Sequence, residues 1–553
     1  MAEATIRKKK ELQEFIDKGL WADETYSSEW DHNAKEFPDK EALVDGRIRL
    51  TWSQAKLAID RLALGFMELG YKKDDSIIAE LPGWTEMMIV RMACEKAGLL
   101  IAPVLRSYRE TEMKHTVELL EAKGVVIPYK FRDFDYFNMI QSIRSELPSL
   151  KHIFIVGDEV PEGAISLNKM LQEPLEKKYS PEELEKLFAK TRMLSTEVSE
   201  LSHTTGSTGI PKLAEWPAVL GIVRTKNTVK KLGITSADTV AALAPGWGGM
   251  NNPVYHGGPN VGAKMVMLEH WDIVEAMKLI EKEKITYFAI TPTMMRLMLD
   301  HPEFDKYDLS SIRAVMVSGA PCPPGWPKEF EEKVGAKVIN TYGSRDLGST
   351  ASPTVDDPPE VRWATAGKSN GWDEIHLLDE NGNEVPKGEV GEVVVKAVTG
   401  SAGYFKNPEA TKEAIGADGL FHIGDLAKWD ENDNLVIAGR SKNIIIRGGE
   451  NIYPNEIEGL LGVYPKVTQA VVVKMPDPLF GEKACAYVSI KPGESFTFDE
   501  MVSHLKSKGL AAFKLPERLE VMAKIPMVGD GTKVDLKGLE KDIADRLKAE
   551  GKI

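Results

Sequence analysis

The chain has 553 residues, 42% hydrophobic and 28% charged, which fits a globular protein too long for one core and predicts roughly three to four domains or subdomains. Its net charge of −14 argues against nonspecific binding to nucleic acid or to an anionic membrane, so an anionic substrate needs cations placed locally. Three scattered cysteines, Cys94, Cys322 and Cys485, offer neither a metal-ligand spacing nor a disulfide framework and predict a reducing, cytoplasmic setting.

Lys8-Lys9-Lys10 is followed by Glu11 rather than by the apolar core of a secretion signal, and reads as a solvated helix face. No apolar run reaches the ~18 residues of a membrane span, so no stable membrane insertion is expected. Leu50-Thr51-Trp52-Ser53 reads as a strand end and helix cap. Residues 76–81 form a buried strand candidate, 85–97 follow with helical periodicity, and 99–104 form a second apolar run. This strand–helix–strand rhythm implies a largely parallel sheet. Further strands are predicted at 125–127, 152–156, 286–290, 314–317 and 337–339, and the charged, Pro-spaced segment 158–195 reads as a surface excursion. Near residue 360 the character changes. Short strands at 374–378, 391–395 and 435–437, bounded by Asp, Asn and Gly, suggest a small antiparallel β-barrel. A separate α+β unit begins at Arg440, with strands at 469–473 and 485–490 and a final helix from about Leu536.

The most informative stretch is Thr204-Thr205-Gly206-Ser207-Thr208-Gly209-Ile210-Pro211-Lys212. Glycines let the backbone approach an anion closely, bare N–H groups face it, and Lys212 adds a point charge. It departs from the common P-loop, because Pro211 precedes the lysine and no helix-opening Ser/Thr follows it. It reads as a hydroxyl-rich flap between strands that wraps a polyphosphate.

This loop is followed in order by Asn340-Thr341-Tyr342-Gly343-Ser344-Arg345-Asp346, His422-Ile423-Gly424-Asp425, Gly439-Arg440-Ser441-Lys442, Arg447-Gly448-Gly449-Glu450 and Gly531-Thr532-Lys533. In these motifs the chain resembles the adenylate-forming superfamily of acyl- and aryl-CoA synthetases, over nearly its whole length. Weaker matches, such as Gly19-Leu20-Trp21-Ala22-Asp23 and Phe513-Lys514-Leu515-Pro516-Glu517-Arg518, resemble aryl-acid ligases of the 2,3-dihydroxybenzoate type. The resemblance implies an α/β fold: a large N-terminal region of several subdomains (1–439) with mostly parallel sheets plus the small β-barrel, and a smaller mobile α+β C-terminal domain (440–553).

It also implies the chemistry. A carboxylate attacks the α-phosphorus of ATP, and a thiol then displaces AMP from the acyl-adenylate. Two anions must meet in the first step, so positioning and charge stabilisation carry most of the catalysis. Lys533 takes the place of the lysine bridging carboxylate and α-phosphate, Asp425 that of the ribose ligand, and Arg440 that of a ribose or phosphate contact. Asp346 stands where the family has a glutamate that partners Mg²⁺, and Arg345 replaces a small residue, which points to an altered metal position or a phosphate contact. Ser318-Gly319-Ala320-Pro321 and Asn340 to Gly343 resemble the two adenine walls.

Lys442 matches the hinge, and Arg447 to Glu450 match part of the CoA tunnel. Trp247, Gly248, Gly249 and Met250, with Ser318 and Gly343, resemble the acid pocket. The two glycines replace the His-Asn of catechol-acid enzymes and are expected to leave room for a bulky aromatic or cyclic acid. His256 is expected to be a polar surface residue. The expected partners are a carboxylic acid, ATP, Mg²⁺ and CoA, with no nucleic acid. A carrier-protein thiol is the rival acceptor, and a noncatalytic nucleotide sensor is the alternative of another class.

Overall fold

The computed structural model describes residues 3–203, 212–244, 246–416, 418–528 and 533–553; of residues 3–7 and Lys533 it describes the backbone alone. The chain falls into two compact units. Unit 1 is Met1–Ala289 with the returns Ser344–Ser349 and Ala397–Ala417, and unit 2 is Ile290–Gly343, Thr350–Lys396 and Asp418–Ile553.

Unit 1 carries two sheets. In one, Thr239–Ala242 lies parallel to Tyr287–Ile290 on one side and to Lys264–Met267 on the other; Glu41–Val44 continues it parallel and Arg49–Thr51 closes it antiparallel. In the other, Val198–His203, Leu100–Pro103, Ser76–Ala79, Gly124–Pro128, His152–Val156 and Ile165–Ser166 run parallel in that order. Leu213–Pro217 returns antiparallel to Val198–His203, with His203 opposite Leu213. Central strands such as Ser76–Ala79, Gly124–Pro128 and Tyr287–Ile290 are largely apolar and wholly buried because parallel sheets are covered on both faces.

The helix Thr85–Ala97 is buried on every side and ends on Gly98 in the left-handed region at φ 75°. Its charged residues are therefore paired internally. Lys96 meets Asp31 and Asp60 at 2.5 Å, Glu95 accepts from the Ser27 amide at 2.6 Å, and Arg91 bonds Glu200. The predicted cap at Thr51 is present, its hydroxyl accepting from the Gln54 amide. The basic N-terminus departs from its reading as a solvated face. On the helix Glu3–Asp17, Lys8 donates to the Ala397 and Val398 carbonyls and Lys9 pairs with Glu197 at 3.2 Å. The 158–195 segment folds into the helices Leu167–Gln172 and Pro181–Thr191, the second largely exposed and opened by a Ser180/Glu183 capping box.

Unit 2 contains the parallel pair Ala314–Val317 and Lys337–Asn340. The small antiparallel subdomain is, among the described residues, a four-stranded meander of Glu374–Leu378, Gly391–Lys396, Phe421–Trp429 and Leu435–Arg440. Beyond it, Val467–Asp477 and Gly481–Ile490 form a long hairpin, joined by the parallel strand Arg518–Met522. Its side chains alternate between two cores. Ala484, Ala486 and Val488 pack with Ile457 and Leu461, whereas Cys485 and Tyr487 pack with Leu539 and Ile543 of the helix Leu536–Ala549. Among the described residues no helix is long and apolar enough to cross a membrane.

Candidate active site

In unit 2, two turns follow the C-terminal ends of parallel strands, the place where α/β sheets bind ligands. After Ala314–Val317 come Ser318, Gly319, Ala320 and Pro321; after Lys337–Asn340 come Thr341, Tyr342 and Gly343. The turns are tied together: the Ser318 hydroxyl donates to the Thr341 carbonyl at 2.8 Å, and the Thr341 amide to the Val317 carbonyl at 2.9 Å. Asn340 faces away from this tie and donates to the Thr365 carbonyl at 3.4 Å. Gly319, at φ 88°, and the two residues after it are exposed, so the turn presents backbone to its surroundings.

The meander brings its own groups to Tyr342. Asp425 and Arg440 are directly opposite on neighbouring strands. The Asp425 carboxylate, 9% exposed, accepts from the Tyr342 hydroxyl at 2.7 Å through one oxygen and from Arg440 Nε at 2.9 Å through the other. Burial and the adjacent Asp425 carboxylate push the Tyr342 phenol well above its ordinary value, so it stays a donor. The Arg440 side chain is 66% exposed and keeps N–H donors toward solvent. Three residues predicted separately from sequence thus form one buried-to-exposed series. It sets a buried carboxylate beside an exposed guanidinium that keeps free donors.

The remaining acid-pocket and metal candidates lie in unit 1. Trp247, Gly248, Gly249 and Met250 form the turn after Thr239–Ala242. Trp247 is buried, tilted against Tyr255 at 4.9 Å, and donates to the Leu81 carbonyl at 3.1 Å. It supports the turn rather than presenting a free stacking face. Gly246, Gly248 and Gly249 have φ of 100°, 97° and 59°, so the turn needs them for backbone reasons alone. The space beside them is not open, as the sequence suggested. Arg345 fills it, its Nη1 donating to the Trp247 carbonyl at 3.0 Å. A Cβ on Gly248 would lie 3.1 Å from that Nη1, and one on Gly249 3.6 Å from Nε.

Asp346 points elsewhere. Burial raises its carboxyl pKa, while Tyr404, Lys212 and Arg345 pull it back, and its Oδ1 is buried without a partner among the described residues. The Lys212 ammonium sits 5.1 Å from the Tyr404 ring centre. An orphaned buried carboxylate oxygen beside a lysine suits a hard cation shared with phosphate oxygens. Thr204, Thr205, Gly206, Ser207, Thr208 and Gly209 lie outside the described residues; the strands on either side of them are the antiparallel pair closed by His203 and Leu213.

A family model described as AMP-binding enzyme matches residues 30–405, and its C-terminal-domain counterpart matches 456–532. The chain belongs to the AMP-binding enzyme family. A medium-chain fatty-acid–CoA ligase of Escherichia coli (strain K12) is 30% identical over 96% of this chain and 92% of its own length. A 2,3-dihydroxybenzoate-AMP ligase of Bacillus subtilis (strain 168) is 29% identical over 96% of both. The crystal structure of an anthranilate CoA ligase in complex with anthranoyl-AMP superposes with a TM-score of 0.83 at 22% identity, covering 95% of this chain and 98% of that one, and shows the shared fold.

In this AMP-binding enzyme the C-terminal candidates are placed as follows. Lys442 is exposed in the short turn Ser441–Asn443, where the Ser441 hydroxyl donates to the Gly424 carbonyl at 3.1 Å. Arg447 and Glu450 face each other across a hairpin turned by Gly448 and Gly449. Arg447 is committed to Glu517 at 2.8 Å and to the Phe480 ring at 4.0 Å, while Glu450 is exposed. Lys533 opens the strand Lys533–Val534, its backbone opposite Val528; Thr532 and the Lys533 side chain lie outside the described residues.

The sequence reading missed a buried charge cluster. His256 is 3% exposed rather than a surface residue, stacked on Tyr26 at 4.1 Å, with Nε2 2.9 Å from Arg91. Arg91 also bonds Glu200, and Arg224 lies over the Trp216 ring at 4.4 Å. The signal was present in one charged residue inside an apolar run, Arg91 in Met88 to Ala93; Glu200, in the polar run Val198 to His203, gave none. Glu200→Ala leaves Arg91 buried beside a histidine that cannot neutralise it. We expect a loss of about 3–5 kcal/mol in chemical unfolding, whereas Glu200→Gln, which keeps an acceptor, should lose less.

Proposed function

We propose that this AMP-binding enzyme joins an aromatic or cyclic carboxylic acid to CoA through an acyl-adenylate, releasing AMP and pyrophosphate. The observation that carries the reading is the Tyr342–Asp425–Arg440 series beside the Ser318–Pro321 turn. It offers a carboxylate to the ribose diol, an exposed guanidinium to the phosphates and exposed backbone to the adenine. The matching of relatives that ligate dihydroxybenzoate and fatty acids supports the acid chemistry.

In this reading the acid carboxylate attacks the α-phosphorus, and pyrophosphate leaves with the P–O electron pair. The Lys533 ammonium bridges the two anions and follows the charge into the transition state. Mg²⁺, when bound, neutralises the departing phosphates, and Asp346 would hold it. Lys212 and residues Thr204 to Gly209 cradle the pyrophosphate. A rotation about Lys442 then withdraws Lys533 and brings Arg447 to Glu450 to the thiol channel. CoA is the acceptor, and carrier-protein loading is the rival outcome of the assay. Supplied with ATP, Mg²⁺, CoA and a panel of benzoate, naphthoate, cyclohexanecarboxylate, dihydroxybenzoate and octanoate, the enzyme should form acyl-CoA and AMP in equal amounts, best with a cyclic acid. Preference for octanoate, or ADP in place of AMP, would contradict it.

A further inference from the structure

We propose that Arg345 and Asn252 read a hydroxyl group on the acid, so that the substrate is a hydroxylated cyclic or aromatic acid rather than a plain hydrocarbon one. The inference rests on the reading of the Trp247–Met250 turn as the acid side of the site. Beside that turn unit 1 holds a cavity of about 20 Å³, enough for roughly one water-sized group. Its lining includes Glu200, Arg224, Gly248, Asn252, His256 and Arg345.

The polar groups facing this space are unbalanced. Arg345 has five N–H donors, and among the described residues one is engaged, by the Trp247 carbonyl. His256 is held neutral by burial and by Arg91 and Arg224. Arginine can only donate, so His256 Nε2 accepts from Arg91 and the ring proton sits on Nδ1, which has no partner among the described residues. Asn252 Oδ1 is likewise buried and unpartnered. Two of these groups flank Gly248: a Cβ there would lie 3.1 Å from Arg345 Nη1 and 3.7 Å from Asn252 Oδ1. A larger residue at 248 would crowd this donor and acceptor, and glycine leaves both to face the cavity beside the turn.

A buried polar group left without a partner is costly, so the ligand atom that completes the set must be polar. A hydroxyl satisfies both sides, accepting from Arg345 and donating to Asn252. A ketone oxygen satisfies one. A second carboxylate, with three heavy atoms, exceeds the room and meets Glu200, already engaged by Arg91. The lining sets two guanidiniums, Arg224 and Arg345, against one carboxylate, Glu200, which Arg91 already engages, and so favours an electron-rich oxygen over a methyl group or a proton donor alone.

The test is acid-dependent ATP–pyrophosphate exchange with matched acids: benzoate against its three monohydroxy isomers, cyclohexanecarboxylate against its 3-hydroxy and 3-oxo derivatives, 2-naphthoate against 6-hydroxy-2-naphthoate, and isophthalate as the dicarboxylate. The wild type should favour the hydroxy member of its best pair at least tenfold in kcat/KM, because sites built around a hydroxyl reject analogues lacking it by orders of magnitude. Arg345→Met should bring that ratio within about threefold, read between the two members of the pair in the same variant whatever its absolute rate. Arg345→Lys, which keeps the charge and loses the fork, should fall between them. A wild-type preference for the unsubstituted member or for isophthalate, or a ratio unmoved by a folded Arg345→Met, overturns the inference while leaving the ligase reading intact. No exchange with any acid overturns both.

Discussion

Replacing Lys533 by alanine will cut acyl-adenylate formation by about a hundredfold or more, and will leave thioester formation from supplied acyl-AMP close to wild type. The two half-reactions differ in their electrostatics. In the first, a carboxylate approaches a polyphosphate and both carry negative charge; an ammonium between them lowers the barrier. In the second, a thiolate displaces a good leaving group from an already neutral acyl carbon. The backbone is suited to carrying such a lysine. Lys533 leaves a two-stranded ribbon with Met527–Val528, the Asp535 amide bonds the Pro526 carbonyl at 3.0 Å, and Asp535 then caps the helix Leu536–Ala549. Adenylation measured by pyrophosphate exchange and thioesterification measured from synthetic acyl-AMP separate the two roles. Equal losses in both would refute the assignment of Lys533 to the first step alone.

Asp425→Ala will raise the KM for ATP by about ten- to a hundredfold, the cost of roughly 1.5–3 kcal/mol in charge-assisted hydrogen bonds. The effect is larger than the loss of one ribose contact, because Asp425 also holds Tyr342 at 2.7 Å and Arg440 at 2.9 Å. Tyr342→Phe, which removes one of those bonds and keeps the carboxylate, should cost less than tenfold. Initial rates at saturating acid and CoA measure both variants. An Asp425→Ala enzyme with unchanged KM for ATP would mean that the carboxylate only organises the meander.

The legible part of the fold was its alternation. Runs such as His152–Val156 and Ala314–Val317 were found where the apolar pattern put them, because a strand covered on both faces has little reason to include a charge, and Glu374–Leu378 was found between its turn residues. Tyr342, Asp425 and Arg440 could be singled out because each belongs to an ordered local motif, and the structure joins the three through the Asp425 carboxylate. The acid side was not legible. Gly248 and Gly249 read as empty space because a sequence shows which side chain is missing, not which distant one moves in; Arg345, 97 positions after Gly248, occupies it. His256 read as a surface residue because its partners, Arg91 and Glu200, come from a helix and a strand far away in sequence, and local pattern carries no record of that pairing.

The most direct measurement of the central claim is the incorporation of labelled pyrophosphate into ATP, with Mg²⁺ and a broad panel of acids and with no thiol present. The account predicts exchange that depends strictly on the acid, is strongest with a cyclic hydroxy acid, and is lost in Lys533→Ala. Absence of exchange with every acid offered to a folded, ATP-binding protein would contradict it.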